Sequence, residues 1–215
     1  WVVGPTRARS SPCVPRVGGG TRPCRGLGGL GGLRPPGKLA EVRARLGVVP
    51  DQERLYGRNT APEYLDRFGY LYGVPQAERR KKIAGLLERF ELADRADTVR
   101  AAYSRGMAQK VALIRATLHA PDWPFCDEPT AGPDPVAAAV MRHYLAEQNA
   151  RGAALIVATH VLSEAEPIAD RTASMRTAVT ATPGPPVAPR HAAAKARRLP
   201  AHLRSPAAHP APPTP

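Results

Sequence analysis

The segment FCDEPTAGPDP, residues 125–135, ends an apolar run in two adjacent carboxylates, Asp127 and Glu128, with a third, Asp134, in the turn-rich stretch behind them. Like charges side by side are costly unless a cation or a reacting proton sits between them. The pair points to metal binding or acid–base work, with a solvated strand-end turn as the bland alternative. Ser104 and Gly106, in YSRGM, stand just before a helical pattern. A hydroxyl and backbone N–H groups at a helix start suit an anion, and they suit an ordinary cap equally well. His160 closes the apolar run ALIVAT, where a polar side chain meets the ligand edge of a sheet rather than its core.

The elements that must position these groups follow from periodicity. LGVVP, 46–50, reads as a short strand and DQERLYGRN as a loop. Thr60 with Glu63 three residues on forms a capping box, with Pro62 tolerated in the first turn. The helix it opens places Tyr64, Leu65, Phe68, Leu71 and Tyr72 on one face and ends at Gly73 and Pro75. A second helix runs through AERRKKIAGLLERFEL, its charge run Arg79–Lys82 read as a solvated face. A turn containing Gly106 leads to a helix reaching about His119. WPFCDE reads as a strand, VAAAVMRHYLAEQNARG as a helix, AALIVATH as a strand, and a last helix begins near LSEAE, disturbed by Pro167. Strands alternating with helices predict a parallel α/β sheet with its ligand at the C-terminal edge of the strands.

Composition divides the chain into three parts. The net charge of +13 first suggests nucleic acid or an anionic surface, yet residues 1–40 and 171–215 each hold seven Lys/Arg and no acid. The middle holds 17 basic and 18 acidic residues, so the whole excess lies in the ends. These ends also hold 16 of the 25 prolines, a composition that buries too little apolar surface to offset ordering entropy. The expected organisation is a low-complexity, disordered basic segment at 1–40, a folded unit at 41–171 with a helical part at about 60–120, and a disordered Pro/Ala/Arg-rich tail at 172–215. Cys13, Cys24 and Cys126 form neither a metal spacing nor a disulfide framework. No apolar run approaches the roughly 18 residues of a membrane span. The start lacks a signal-peptide core and is Trp1 rather than Met, so a cytosolic chain, and a fragment, is expected.

Residues 46 to about 171 resemble the later two-thirds of the nucleotide-binding domain of ATP-binding-cassette (ABC) transporters. YSRGM resembles the signature motif, WPFCDEPT the Walker B strand, AGPDP the D-loop and VATH the switch-histidine segment, in the family's order. The resemblance implies a P-loop NTPase-like parallel sheet with a helical subdomain, and ATP with Mg²⁺ as cofactors. It implies that Asp127 holds Mg²⁺ through water and that Glu128 orients and deprotonates the attacking water, a role worth roughly 10²–10⁴-fold. It further implies that His160 senses the γ-phosphate. Tyr103, Ser104, Arg105 and Gly106 would close on nucleotide held by a second domain in a head-to-tail homo- or heterodimer, with Asp134 at the seam. Gln52 would touch Mg²⁺, although an ungapped reading of VVPDQERLY puts Asp51 at that place.

The resemblance departs from its pattern in one main respect. The phosphate loop, G-x-x-x-x-G-K-[ST], belongs about 40 or more residues before the glutamine loop. The near-match GLRPPGKL has Gly32, Gly37 and Lys38, but Leu39 in place of Ser/Thr and only a short run to Asp51. It reads as a decoy, closer to the turn that follows the phosphate-loop helix. Losing three or four charge-assisted hydrogen bonds forfeits roughly 5–10 kcal/mol. Pro124 inside the Walker B strand and Pro133 in the D-loop are further departures, and both ends look like out-of-frame translation or genuine basic tails.

The reading is thus an ATP-binding subunit, truncated or degraded, of an exporter-type transporter. It would work with transmembrane permease subunits from the cytoplasmic face of the cell membrane. A non-catalytic pseudo-ATPase subunit is the first alternative. A nucleic-acid binder acting through basic tails is the second, and the near-neutral middle and the lack of interleaved aromatics in the tails argue against it.

Overall fold

Short apolar runs pair as strands: Val2–Val3 (β1), Leu46–Val49 (β2), Trp123–Asp127 (β3), Ile156–Thr159 (β4), Ala173–Arg176 (β5) and Val179–Thr180 (β6). The computed structural model describes residues 2–3, 31–33, 38–51, 58–159, 161, 170, 173–176 and 179–180. The strands make one sheet of order β2-β3-β4-β1-β5-β6, in which only β5 and β6 pair antiparallel. The parallel α/β architecture expected of a P-loop NTPase-like domain is what the chain adopts. β1, β5 and β6 lie within the two ends, 1–40 and 172–215. Short β-branched and apolar stretches such as Val2–Val3 gain order by pairing with strands distant in sequence.

Five α-helices lie among the described residues: Leu39–Ala44 (α1), Ala61–Leu71 (α2), Gln76–Arg89 (α3), Arg105–Thr117 (α4) and Pro135–Ala150 (α5). The capping box at α2 forms as expected, with Thr60 N–H donating to Glu63 Oε2 at 2.9 Å and Glu63 N–H to Thr60 Oγ1 at 3.5 Å. The buried stripe of α2, however, is Ala61, Leu65 and Gly69, while Leu71 and Tyr72 face solvent. The contact runs out there because the chain turns at Gly73, whose φ of 74° ends the helix.

The core centres on α4, where Val111, Ala112, Leu113 and Ile114 are all fully buried. A helix apolar on every side must be covered on every side. Here β2 lies on one flank and α2 on another, with Leu65, Leu87, Phe90 and Met141 in the same cluster. The helical unit is fastened to α5 by a two-pronged pair, Arg89 Nη1 and Nη2 to Glu147 at 2.8 and 2.7 Å. Beside it the Phe90 and Tyr144 rings meet edge to face at 5.3 Å. Pro124 fits within β3 because pairing with β4 begins only at Phe125, so it precedes the doubly paired stretch. The expected helix near LSEAE, 162–169, lies outside the described residues.

His119, just after α4, stacks on Tyr72 at 3.8 Å with the rings 13° apart. Burial pulls its pKa from the ordinary 6.5 to about 4, with Lys82 adding to the effect and the Leu46 backbone opposing it. The unfolded chain therefore takes up a proton on His119 near pH 6.5, and the folded chain resists until about pH 4. Thermal stability should fall as pH drops through that window. A His119→Phe variant, which keeps the stack, should show a flatter slope of Tm against pH, measured by calorimetry.

Candidate functional site

β3 is buried from Trp123 through Asp127 and delivers Asp127, only 4% exposed, at its C-terminal end. Glu128 follows with φ at 47°, a left-handed conformation that a residue with a Cβ adopts at a cost. Its backbone explains the geometry: the N–H donates to Ala158 O at 2.8 Å, and its carbonyl accepts from Ala131 N–H at 3.0 Å. The carboxylate accepts a hydrogen bond from Thr159 Oγ1 at 3.3 Å, and Thr159 Oγ1 in turn accepts from Val161 N–H at 3.1 Å. Sequence reasoning passed over Thr159; the signal was a hydroxyl at the end of an apolar strand, one residue before His160. Cys126, next to the acids, has its thiol pushed up to about 12 by burial, with the Asp127 charge adding, and is no nucleophile.

Ser104 caps α4, its Oγ accepting from Met107 N–H at 3.2 Å, so the structural role weighed for it is realised. Gly106 lies directly on the turn before α5: a Cβ there would sit 3.2 Å from Pro133 Cα. Gly132, φ 113°, lies under the Arg105 stem, with a Cβ position 3.1 Å from Arg105 Cδ. Arg105 Nη2 reaches Asp51 Oδ1 at 3.5 Å, and the buried Gln109 donates from Nε2 to Pro50 O at 3.0 Å. The first turns of α4 thus hold both the exit of β2 and the turn at 132–133. Tyr103 turns the other way, its hydroxyl donating to Arg95 O at 2.8 Å. Asp134 caps α5 by accepting from Ala137 N–H at 2.9 Å, and that bond holds its carboxyl below the usual range. Gln52 and His160 lie outside the described residues.

In the near-match GLRPPGKL, Leu33 lies at the opposite end of β3 from the acids. A Cβ on Gly31 would lie 2.2 Å from Trp123 Cζ2, and Leu33 packs on Leu46, Trp123 and Phe125. Trp123 starts β3, about 13 Å along the strand from Asp127 at about 3.3 Å per residue. Lys38 meets only Glu41, at 3.6 Å, among the described acids. The strand that ends beside the acids is β1. Val2 pairs with Ala158, and Ala158 also pairs with Asp127, so β1 ends level with Asp127, two strand spacings or about 10 Å away. From β1 the chain continues as Gly4-Pro5-Thr6-Arg7-Ala8-Arg9-Ser10-Ser11, outside the described residues and beginning 48 residues before Gln52.

At Glu128 the strain yields a stability prediction. Glu128→Gly should be more stable than Glu128→Ala by about 1 kcal/mol in denaturant unfolding, because both lose the carboxylate and only glycine is at ease at this φ. Asp134→Ala should lower Tm, whereas Asp134→Ser, which can still cap α5, should recover most of the loss.

A family model described as ABC transporter matches residues 33–131. The chain is 35% identical over 169 residues to Nod factor export ATP-binding protein I of Ralstonia nicotianae, covering 79% of this chain and 53% of that protein. It is 31% identical over 170 residues to ABC transporter ATP-binding protein NatA of Bacillus subtilis, covering 79% of this chain and 69% of that one. It thus spans about half the length of the first relative and two-thirds of the second. A solved ATP binding subunit of an ABC transporter superposes with a TM-score of 0.80 at 29% identity, over 86% of this chain and 77% of that one. Similarity over 79% of the chain extends beyond residues 41–171, which speaks against out-of-frame translation of both whole ends. The chain belongs to the ABC transporter family, among its ATP-binding domains.

Proposed function

We propose that this chain is the ATP-binding subunit of a membrane transporter, in which a dimer of such domains couples ATP binding and hydrolysis to export through transmembrane permease subunits. The observation that carries the reading is the sheet edge where Asp127 ends β3, Glu128 follows it, and β1 ends level with them, with β4 between. YSRGM and LYGVP support the export direction, and the printed name of the Ralstonia relative agrees with it. No helix among the described residues is long and apolar enough to cross a membrane. In this reading the domain sits against the permease on the cytoplasmic face.

The acids fit a nucleotide-bound Mg²⁺. No group of three His, Cys, Asp or Glu able to hold a metal by itself occurs among the described residues. That suits an ion bound by one or two carboxylates and completed by phosphate oxygens and water. Asp127 would hold it, and it would neutralise charge on the phosphates. Glu128, steadied by Thr159, would orient the attacking water and accept its proton, and His160 would stand at the γ-phosphate. Gln52 would serve the metal from the loop after β2. Tyr103, Ser104, Arg105, Gly106 and Asp134 would act across the dimer seam.

The phosphate side fits less well, and this favours a second reading. Laid on G-x-x-x-x-G-K-[ST], residues 4–11 keep Gly4 and the hydroxyl of Ser11, but Arg9 stands for the second glycine and Ser10 for the lysine. A chain so altered would bind nucleotide weakly and serve as a non-catalytic partner of an intact subunit. ATP binding in the presence of Mg²⁺, followed by calorimetry, separates the cases. An Arg9→Gly/Ser10→Lys variant should bind at least about 10²-fold more tightly than the unaltered chain, as expected for regained charge-assisted bonds. Adding Glu128→Gln should leave that binding intact and lower turnover by about 10²–10⁴-fold. Equal binding by both chains would remove residues 4–11 from the site, and hydrolysis by the unaltered chain would remove the second reading.

A further inference from the structure

β4 ends in a hydroxyl that bonds in two directions. Thr159 is the last residue of the strand and only 3% exposed, with β3 on one side of β4 and β1 on the other. Ile156, Val157 and Ala158 before it are all apolar. Valine has nearly the same outline and brings no hydroxyl to satisfy, so a threonine here needs partners. Both partners are present. The Thr159 hydroxyl donates to Glu128 Oε2 at 3.3 Å, and Oγ1 accepts from Val161 N–H at 3.1 Å. A carboxylate only accepts and a backbone N–H only donates, so the one hydroxyl hydrogen has a single direction to take.

The bond to Val161 by itself is the ordinary turn that a threonine makes with its own backbone two residues on. The bond to Glu128 is not required by that turn. It reaches the chain leaving the neighbouring strand β3, at a residue held in a left-handed backbone with φ at 47°. Glu128 is half-buried, and its N–H is already anchored on β4 through Ala158 O at 2.8 Å. Backbone and side chain of Glu128 are thus both fastened to the end of β4, at Ala158 and Thr159. With one hydroxyl as the junction, the carboxylate cannot turn without disturbing the chain at Val161, and the reverse holds as well.

We propose, on the reading of Glu128 as the base of ATP hydrolysis, that Thr159 is a positioning residue that joins the Glu128 carboxylate to the backbone at Val161, so that the two take up one arrangement together. In that reaction the water oxygen bonds to the γ-phosphorus. The bond to the β–γ bridging oxygen breaks with ADP leaving, and the water's proton passes to Glu128. Thr159 takes no proton. It restricts the directions from which the carboxylate can meet the water.

Two measurements on the full chain test the junction and its use separately. The first is NMR without nucleotide, reading the Glu128 side-chain carboxyl carbon and amide exchange at Val161. Thr159→Val keeps a β-branched residue in a buried strand, so the fold is retained. It should shift the carboxyl resonance and speed Val161 exchange at least about tenfold, while Thr159→Ser should leave both near their starting values. The second is turnover in the chain carrying Arg9→Gly/Ser10→Lys. There Thr159→Val should lower kcat at least about tenfold with KM little changed, and Thr159→Ser should restore most of it. In the Glu128→Gln background Thr159→Val should cost nothing further. An unmoved carboxyl resonance in Thr159→Val overturns the proposal, as does a loss of kcat that adds in full to that of Glu128→Gln. Absence of turnover in every chain, with the NMR changes present, also overturns it. In that case the fault lies with hydrolysis itself, and Thr159 is left as a strand-end junction.

Discussion

Two neighbouring carboxylates at the end of a fully buried strand leave the chain one place to put them. β3 is paired on both sides, by β2 and by β4, and is covered along its whole length. Its acids can therefore face only the C-terminal edge of the sheet. Glu128 takes up a left-handed backbone so that its N–H still reaches Ala158 while its side chain meets Thr159. Strain of order 1 kcal/mol at such a point is tolerated when the surroundings over-determine it. Here the β4 ladder on one side and the turn to Ala131 on the other do so.

Everything else at the edge is arranged by α4. Its body is buried on all sides, so it cannot shift without disturbing the core. Arg115 ties it to the sheet, donating to Val48 O at 2.9 Å and to Tyr64 OH at 2.9 Å, and Gln109 holds Pro50. Its N-terminal turn then lies against Gly132 and Pro133, so the loop after β2 and the turn before α5 share one support. A proline at 133 is compatible with this, because the contact to Gly106 is made by backbone rather than by the side chain that the family pattern carries there.

How much of this was legible follows from the range of each interaction. The capping box at Thr60, the helices and the strand ending in Asp127 are set by neighbours within a few residues, and periodicity reveals them. YSRGM, WPFCDEPT and AGPDP meet in space because strand-to-helix order alone brings β3 and the start of α4 to one edge. What periodicity could not give was pairing across more than 150 residues. Val2–Val3 is too short to signal a strand, and its partners in β4 and β5 lie in the far half of the chain. Composition gave no sign of it either, since Val2–Val3 stands in basic Pro/Gly-rich surroundings. Leu71 and Tyr72 had helical spacing but lay past the end of the packed stripe, and spacing carries no information about where a partner helix stops.

The account turns on β1 being an interior strand whose end lies level with the acids. NMR-detected amide hydrogen exchange of the intact chain measures this without reference to activity. With β4 and β5 on its two sides, the amides of Val2 and Val3 should be among the protected ones, approaching Val157 and Ala158 in β4. Exchange at Val2 and Val3 as fast as in an unstructured peptide, with β4 still protected, would contradict it.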